Sequence, residues 1–215
     1  MKDGVIILHG ILRTNRSMKK LSSLLEKNGY QTLNLNYPST KQTIEEIAQH
    51  LHPQIHEFAT KTSGKIHFVG YSMGGLVIRA YLNRFSVERL GRIVMLATPN
   101  NGSEIADLVK NRWFFHKIYG PAGQQLVTKF ENAEIIFGSV NYELGIIAGN
   151  RSINPICSLV IGKPSDGTVS INSTKLDGMK DHLVIPSSHT FFPRNKKALL
   201  QTLNFIENGS FNKKP

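Results

Sequence analysis

The sequence predicts an α/β domain with a mostly parallel central sheet of about six strands, helices on both faces and a small lid-like insertion. Short apolar and β-branched runs alternate along the chain with amphipathic helical patterns, which is typical of βα units whose strands are buried on both faces. The length of 215 residues and the hydrophobic content of 40% fit one domain with a full core. We therefore expect a single domain over residues 1–215.

Six segments are predicted as strands because each is a short apolar or β-branched run. They are Val5–His9, Thr32–Tyr37, Ile66–Gly70, Arg92–Ala97, Ile156–Gly162 and His182–Ile185. Amphipathic helices are predicted where apolar residues recur every three to four positions, over Ser17–Lys27, Thr43–Ala59 and Arg194–Ile206. Pro53 lies inside the second of these patterns and predicts a kink or break there.

The segment Asn100–Asn154 fits this alternation less well. It is rich in Gly and Asn and carries an aromatic cluster of Trp113, Phe114, Phe115 and Tyr119. Two interpretations stay open: a small lid inserted between two strands and covering a site, or a helical excursion that completes the core.

The composition narrows the classes of partner and compartment. The formal net charge is +11, yet the basic residues are scattered and no basic run is interleaved with aromatic residues, so we predict no nucleic-acid partner. The single cysteine, Cys157, excludes an internal disulfide and a paired-cysteine metal site, and is interpreted as a small core residue in a reducing compartment. No apolar run reaches the length of a signal-peptide core or a membrane span, so a cytoplasmic location is expected.

A catalytic site is first indicated by the motif Gly70-Tyr71-Ser72-Met73-Gly74, which matches the pattern G-x-S-x-G. Such a match arises by chance in a few per cent of chains of this length, so its context decides. A strand-like run, Lys65–Val69, precedes it and a helical period starting at Leu76 follows it, as a nucleophile turn requires. Ser72 is therefore the candidate nucleophile, at a helix N-terminus that favours a developing negative charge.

Acyl transfer from such a serine needs two N–H donors aimed at the oxygen of the tetrahedral intermediate. The amide of Met73, directly after the nucleophile, is the first candidate. His9-Gly10-Ile11 ends the first predicted strand, and Gly10 allows that loop to approach the site, so the amide of Ile11 is the second. His9 is expected to brace this loop by hydrogen bonds and not to act as the base.

The general base and the acid that orients it follow the nucleophile along the chain in this type of site. His189 lies just past the last predicted strand and is the candidate base, while His116 and His182 are expected to be structural. Asp166 follows the strand predicted at Ile156–Gly162 and is the candidate acid. Asp177 and Asp181 are its rivals; Asp181 precedes the last strand and should point away from the site.

With these residues in order, the chain resembles the α/β-hydrolase superfamily, and specifically its compact bacterial lipase- and esterase-like members. Ala97-Thr98-Pro99-Asn100-Asn101-Gly102-Ser103 is also similar to the TPxxGS segment that shapes the acyl pocket in lipase-like hydrolases. The sequence departs from some esterases by carrying His-Gly-Ile where they have a His-Gly-Gly-Gly run, and Tyr71 stands where many lipases have His. Next to these motifs, we expect Leu12, Tyr71 and Thr98 to contact the substrate.

The resemblance implies a serine hydrolase that cleaves carboxylic esters of a small-molecule or lipid-like acyl group and needs no cofactor or metal. The same triad also serves amidases, thioesterases and acyltransferases, so the leaving group stays open. A non-catalytic module that binds an anionic membrane surface is the alternative from another class, indicated by the net positive charge and the aromatic cluster.

Overall fold

The computed structural model describes residues 2–153, 159–162 and 164–213. Its centre is a six-stranded sheet whose strands are β1 (Gly4–Leu8), β2 (Gln31–Leu35), β3 (Ile66–Tyr71), β4 (Leu90–Leu96), β5 (Leu144–Gly149) and β6 (Asp181–Ile185). The strand order is β2-β1-β3-β4-β5-β6, and every neighbouring pair is parallel. The predicted fold class is confirmed, and the carboxyl ends of all these strands meet at one edge of the sheet.

Eight named helices accompany the strands in the described part of the chain. They are α1 (Lys19–Lys27), α2 (Ile44–Lys61), α3 (Met73–Arg84), α4 (Glu104–Val109), α5 (Trp113–Gln124), α6 (Ala133–Phe137), α7 (Ile171–Thr174) and α8 (Lys196–Asn208). Short 3-10 turns cover Asn15–Met18 and His189–Arg194. None of these helices combines the length and the apolar character that crossing a membrane requires.

The core lies on both faces of the sheet because alternate strand residues point to opposite sides. In β1, Ile6 and Leu8 pack with α2 and α3, whereas Val5 and Ile7 pack with α1 and α8. The amphipathic patterns of the sequence therefore mark the helices that cover the sheet.

Five of the six predicted strands are confirmed to within about two residues, the ordinary uncertainty of element boundaries. The strand predicted at Ile156–Gly162 is wrong. Residues 156–158 of that segment, including Cys157, lie outside the described residues, and residues 159–161 are helical. The fifth strand is instead β5, which lies inside the predicted insertion Asn100–Asn154, so the excursion between β4 and β5 ends before Leu144. A short apolar run does not by itself distinguish strand from helix.

The helix predicted over Thr43–Ala59 begins where its signals place it. Thr43 and Glu46 form a capping box, in which each side chain accepts a hydrogen bond from the other residue's backbone N–H. Of the kink or break predicted at Pro53, the break is wrong, because α2 runs through it to Lys61. Pro53 and Gln49, whose carbonyl loses its intrahelical donor, are both exposed, so water is available to that carbonyl.

Candidate active site

The chain makes a sharp turn between β3 and α3, and Ser72 occupies that turn with φ +54° and ψ −124°. A side chain at φ above zero is strained, and the crowding of the turn explains the glycines beside it. A Cβ on Gly70 would lie 2.5 Å from the backbone nitrogen of Gly75, and one on Gly74 would lie 2.5 Å from the carbonyl oxygen of Leu8. The glycines therefore let the turn close against β1 and present the Ser72 hydroxyl at the carboxyl edge of the sheet.

Three side chains that are far apart in sequence meet at this edge. Ser72 Oγ lies 3.0 Å from His189 Nε2, and His189 Nδ1 lies 2.7 Å from Asp166 Oδ2. Asp166 is 2% exposed. A carboxylate only accepts hydrogen bonds, so Nδ1 carries the proton and donates it to Asp166, which leaves Nε2 free to accept from the serine.

Asp166 is held in place by its own loop. Its Oδ1 accepts hydrogen bonds from the backbone N–H groups of Thr168 at 2.9 Å and Val169 at 2.8 Å. The backbone N–H of His189 donates to the carbonyl oxygen of Asp166 at 3.0 Å. The acid and the imidazole are thus joined through both main chain and side chain, which limits the orientations of the ring.

Tyr71 braces the imidazole from the other side. Its hydroxyl donates to the carbonyl oxygen of His189 at 2.7 Å, and the two rings lie 5.4 Å apart. Burial raises the pKa of the Tyr71 hydroxyl well above its usual range, so it stays a donor. Tyr71 was expected to contact a substrate; it borders the cavity at Ser72, but its hydroxyl is engaged by the His189 loop.

Thr98 does not reach the cavity, which corrects the expectation that it contacts the substrate. Its side chain is fully buried, and its hydroxyl donates to the carbonyl oxygen of Ser72 at 3.0 Å. Gly75 allows this contact, since a Cβ there would lie 2.9 Å from the Cβ of Thr98. Thr98 therefore positions the nucleophile turn from behind.

The two predicted oxyanion donors lie on either side of Ser72. Met73 is the first residue of α3, where a backbone N–H has no partner within the helix. Ile11 lines the cavity beside Ser72, and a Cβ on Gly10 would lie 3.1 Å from the Cβ of Ser72, so the loop after β1 packs directly on the nucleophile.

Leu12, which was expected to contact the substrate, also lines the cavity and is 50% exposed. Its φ is +57°, and its N–H donates to Ser39 Oγ at 3.2 Å.

His9 supports this loop from below. It is fully buried, and its Nδ1 lies 2.8 Å from the carbonyl oxygen of Gly10, while the N–H of Tyr37 lies 3.4 Å from its Nε2. The Tyr37 ring stacks on it at 4.1 Å. Burial lowers the pKa of His9, and the two hydrogen bonds require the neutral ring. His9 therefore braces the loop and lies away from the serine–histidine contact.

The other candidate acids and bases lie elsewhere. Nε2 of His182 is 3.0 Å from the Thr174 hydroxyl, and His116 is exposed on α5. Asp181 begins β6 at the opposite edge of the sheet, where it accepts from the N–H of Phe211 at 2.9 Å. Asp177 is exposed and lines a different cavity.

A cavity of about 260 Å³ opens onto Ser72 and His189. Its apolar wall comes largely from the excursion between β4 and β5, through Ile105, Ala106, Val109, Phe115, Tyr119 and Leu126. Several of these side chains also belong to the core cluster under α3, so the excursion both completes the core and forms a wall of the site. The lid interpretation of Asn100–Asn154 placed the aromatic cluster with Phe115 and Tyr119 over a site, but it did not assign the other wall residues. The rings of Phe115 and Tyr119, four residues apart on α5, stack at 4.8 Å.

The cavity also has polar and charged neighbours. Exposed Arg13 lies at its lining beside Leu12, and Ser103 lies opposite on the loop that precedes α4. Within the described residues, no group of three His, Cys, Asp or Glu side chains is arranged to hold a metal ion.

Comparison with known proteins assigns the chain to a family. A model of the family "Palmitoyl protein thioesterase" matches residues 4–134. A curated relative, palmitoyl-protein thioesterase 3 of Dictyostelium discoideum, is 24% identical over 115 residues, which is 51% of this chain and 40% of that protein. The chain thus spans about two fifths of the length of the curated relative it matches.

Solved structures share the fold. The mature form of the lipase BlEst2 of Bacillus licheniformis superimposes with a TM-score of 0.77 at 20% identity, covering 97% of this chain and 92% of that one. The phospholipase PlaB of Legionella pneumophila superimposes with a TM-score of 0.75 at 14% identity, covering 98% of this chain and 60% of that one. At these identities the likeness establishes the fold alone.

Proposed function

The chain belongs to the palmitoyl protein thioesterase family and has the α/β-hydrolase fold, and from this premise we propose that it is a serine hydrolase that cleaves carboxylic esters or thioesters. The observation that carries the proposal is the pair of hydrogen-bond distances that joins Ser72 to His189 and His189 to Asp166. Family membership favours an acyl group as the part of the substrate that is attacked. The printed names of the relatives include a thioesterase, a lipase and a phospholipase.

In the proposed mechanism, Ser72 Oγ attacks the acyl carbonyl carbon while His189 Nε2 takes the hydroxyl proton. Asp166 keeps the other ring proton on Nδ1 and stabilises the imidazolium that forms. The backbone N–H groups of Met73 and Ile11 bind the oxygen of the tetrahedral intermediate. His189 then gives its proton to the leaving alcohol or thiol, which leaves the acyl group on Ser72. Water, activated by His189, attacks this acyl-enzyme and releases the carboxylic acid.

The cavity supports an apolar acyl group of short or medium length. Its volume of about 260 Å³ lies below the range of about 300–1,000 Å³ that is typical for sites of drug-sized ligands. A long, extended chain would need the wall formed by α4 and α5 to move. Apart from the Tyr119 hydroxyl, the side chains of that wall offer no donors for a polar acyl substituent, so we expect acyl groups without polar substituents to be preferred.

The experiment is a series of p-nitrophenyl esters from acetate to dodecanoate, with acyl thioesters of matching length, assayed with wild type and Ser72→Ala. We expect a maximum at short or medium chains and a loss of about 10⁴- to 10⁶-fold in kcat for the variant, as for removal of a triad serine. Ser210→Ala is the matched control, because Ser210 is exposed beyond α8.

Equal turnover by wild type and Ser72→Ala would contradict the proposal. Faster hydrolysis of amides than of esters and thioesters by the wild type, lost in Ser72→Ala, would identify an amidase instead. Transfer of the acyl group to an added alcohol in preference to water would identify an acyltransferase. Product analysis separates these readings of the same triad.

We also propose that the enzyme contacts an anionic membrane surface through the segment 108–118. Leu108, Trp113 and Ile118 are 57%, 77% and 47% exposed there, which is unusual for apolar side chains gathered on one segment. Lys110, Arg112 and Lys117 intervene between them. Apolar anchors with neighbouring cations are typical of segments that lie in a lipid interface, and the segment adjoins the cavity wall. We retain a cytoplasmic location as part of this proposal.

Trp113 is the single tryptophan of the chain, so its fluorescence reports on this segment. Vesicles that contain phosphatidylglycerol should shift its emission to shorter wavelength, and added salt should reverse the shift because part of the attraction is electrostatic. Ile118→Ser should weaken binding, whereas Leu200→Ser, at a residue of the same 47% exposure on α8, should not. An unchanged emission spectrum with these vesicles would contradict membrane contact.

A further inference from the structure

A second and larger cavity lies beside the first. It has a volume of about 990 Å³, is partly open to solvent, and is lined by α3, α6, the residues around 125–130 and the chain before β6. Pro99 lines both cavities. The second cavity contains none of the residues assigned to the proposed reaction, so it needs an explanation of its own.

Arg79 of α3 lines this cavity and is only 6% exposed. Its Nη1 donates to the carbonyl oxygen and to Oδ1 of Asn100, both at 3.4 Å, and its Nη2 donates to the carbonyl oxygen of Gly138 at 3.2 Å. Its Nε is buried and has no hydrogen-bond partner. Among the described residues, no carboxylate lies within ion-pair distance of this guanidinium.

The guanidinium is therefore a buried cation with too few partners. It has five N–H donors, and its two contacts with Asn100 are longer than the usual range for such bonds. Asn100 is itself fixed, since its Nδ2 donates to the carbonyl oxygen of Thr174 at 2.8 Å. The ring of Phe137 lies 5.2 Å from the guanidinium carbon, which gives a cation–π contact but no counter-charge. An anion in the cavity would supply an acceptor for the second N–H of Nη2 and the missing counter-charge.

The rest of the lining limits which anion fits. The lining carries two cations, Arg79 and the exposed Lys175, and two exposed carboxylates, Glu134 and Asp177. This balance of charge disfavours a dianion. The remaining wall is mixed, with polar side chains such as Asn101, Thr128 and Ser139 beside an apolar part. The apolar part includes Leu76, Val127, Phe130, Phe137, Val140 and Met179. A ligand that satisfies both parts has one negative charge and an apolar body.

We propose that this cavity binds an organic monoanion, a carboxylate with a short apolar chain, with the carboxylate held by Arg79 and the chain lying along the apolar wall. The site is separate from the Ser72 cavity, so binding does not depend on catalysis. A single buried guanidinium suits a carboxylate because the planar fork of donors matches its two oxygens.

Isothermal titration calorimetry with octanoate tests the proposal, with octanol and inorganic phosphate as comparison probes. Octanoate should bind, and octanol and phosphate should bind at least about tenfold more weakly, because each lacks one of the two required features. Arg79→Met should weaken octanoate at least about tenfold. Ser72→Ala should leave its affinity unchanged, since that substitution alters only the other cavity.

Two exposed residues provide variants whose folding is not in question. Asp177→Asn removes a like charge and should tighten octanoate about twofold to fivefold, while Lys175→Gln should weaken it by a similar factor. Lys20→Gln, on α1 and away from the cavity, is the matched control for the loss of a lysine. Because the two substitutions are expected to change the affinity for octanoate in opposite directions, they test the proposal even if Arg79→Met does not fold.

Several results would overturn the proposal. One is the absence of octanoate binding at millimolar concentration. Another is octanol binding as tightly as octanoate, which would make the cavity a purely apolar site. Tighter binding of phosphate would contradict the monoanion, and octanoate binding that is insensitive to Arg79, Asp177 and Lys175 would place the probe in the Ser72 cavity.

Discussion

Replacing Asp166 by asparagine should place the ring proton of His189 on the wrong nitrogen. The amide can keep its oxygen where Oδ1 now accepts from the N–H groups of Thr168 and Val169, at 2.9 and 2.8 Å. Its NH₂ group then faces His189 Nδ1, which has to act as acceptor. The ring proton moves to Nε2, and the imidazole no longer accepts the proton of Ser72.

The structure sets the size of this effect. If the amide turned over, NH₂ would face the two backbone donors and both hydrogen bonds would be lost. Each buried group left unsatisfied costs about 1–3 kcal/mol, so the turned amide is disfavoured by about 2–6 kcal/mol, or roughly 30-fold to 10⁴-fold. The unproductive tautomer therefore dominates. We expect kcat to fall by about 10³- to 10⁴-fold, comparable with the same substitution in a well-studied serine protease.

The assay is hydrolysis of p-nitrophenyl butyrate by wild type and Asp166→Asn, with circular dichroism to verify the fold. Asp181→Asn is the matched control, because Asp181 was the rival acid and lies at the opposite edge of the sheet, paired with Lys213 at 2.6 Å. That variant should lose stability and keep its kcat. A folded Asp166→Asn protein with less than a tenfold loss in kcat would refute the reasoning.

Gly75→Ala should destabilise the fold by about 1–3 kcal/mol and lower kcat. The added Cβ would lie 2.7 Å from Cγ2 of Thr98, the residue whose hydroxyl donates to the carbonyl oxygen of Ser72. A free energy of unfolding in urea within about 0.5 kcal/mol of the wild-type value would contradict this. The free energy of unfolding should also fall as the pH drops below about 6.5, since burial lowers the pKa of His67 and its Nδ1 accepts from the N–H of Arg92. The unfolded chain binds that proton more readily, so stability is full above this pH and is lost below it; an NMR titration that gave His67 an unshifted pKa would exclude it as the cause.

Much of the site could be predicted because its chemistry restricts the residue types. A serine at positive φ between a strand and a helix needs glycines around it, and that requirement is local in sequence. The order of Ser72, Asp166 and His189 follows from the positions of the loops at one edge of a parallel sheet. The structure brings these three side chains into hydrogen-bond contact.

The fifth strand was missed because its signal is weak and a stronger signal competed with it. Leu144–Gly149 contains two glycines and follows an irregular, Asn-containing stretch, whereas Ile156–Gly162 is an apolar run of strand length. Asp166 was thus placed after the wrong strand, yet the conclusion about its loop survives. The loop after β5 returns to the same edge, where a Cβ on Gly149 would lie 2.8 Å from the Cβ of Asp166.

The burial of Arg79 could not be predicted, because it depends on packing between distant segments. Helix α3 is covered by α2 and by the excursion that contains α6, so a position two turns along the helix from Ser72 is closed off from water. A methionine would fill similar space without the cost of burying a charge, but it would leave the acceptors on Asn100 and Gly138 without their donors. The hydrogen bonds of Arg79 to Asn100 and Gly138 tie α3 to the excursion, but they leave its charge without a counter-ion, which an anion bound in the adjoining cavity would supply.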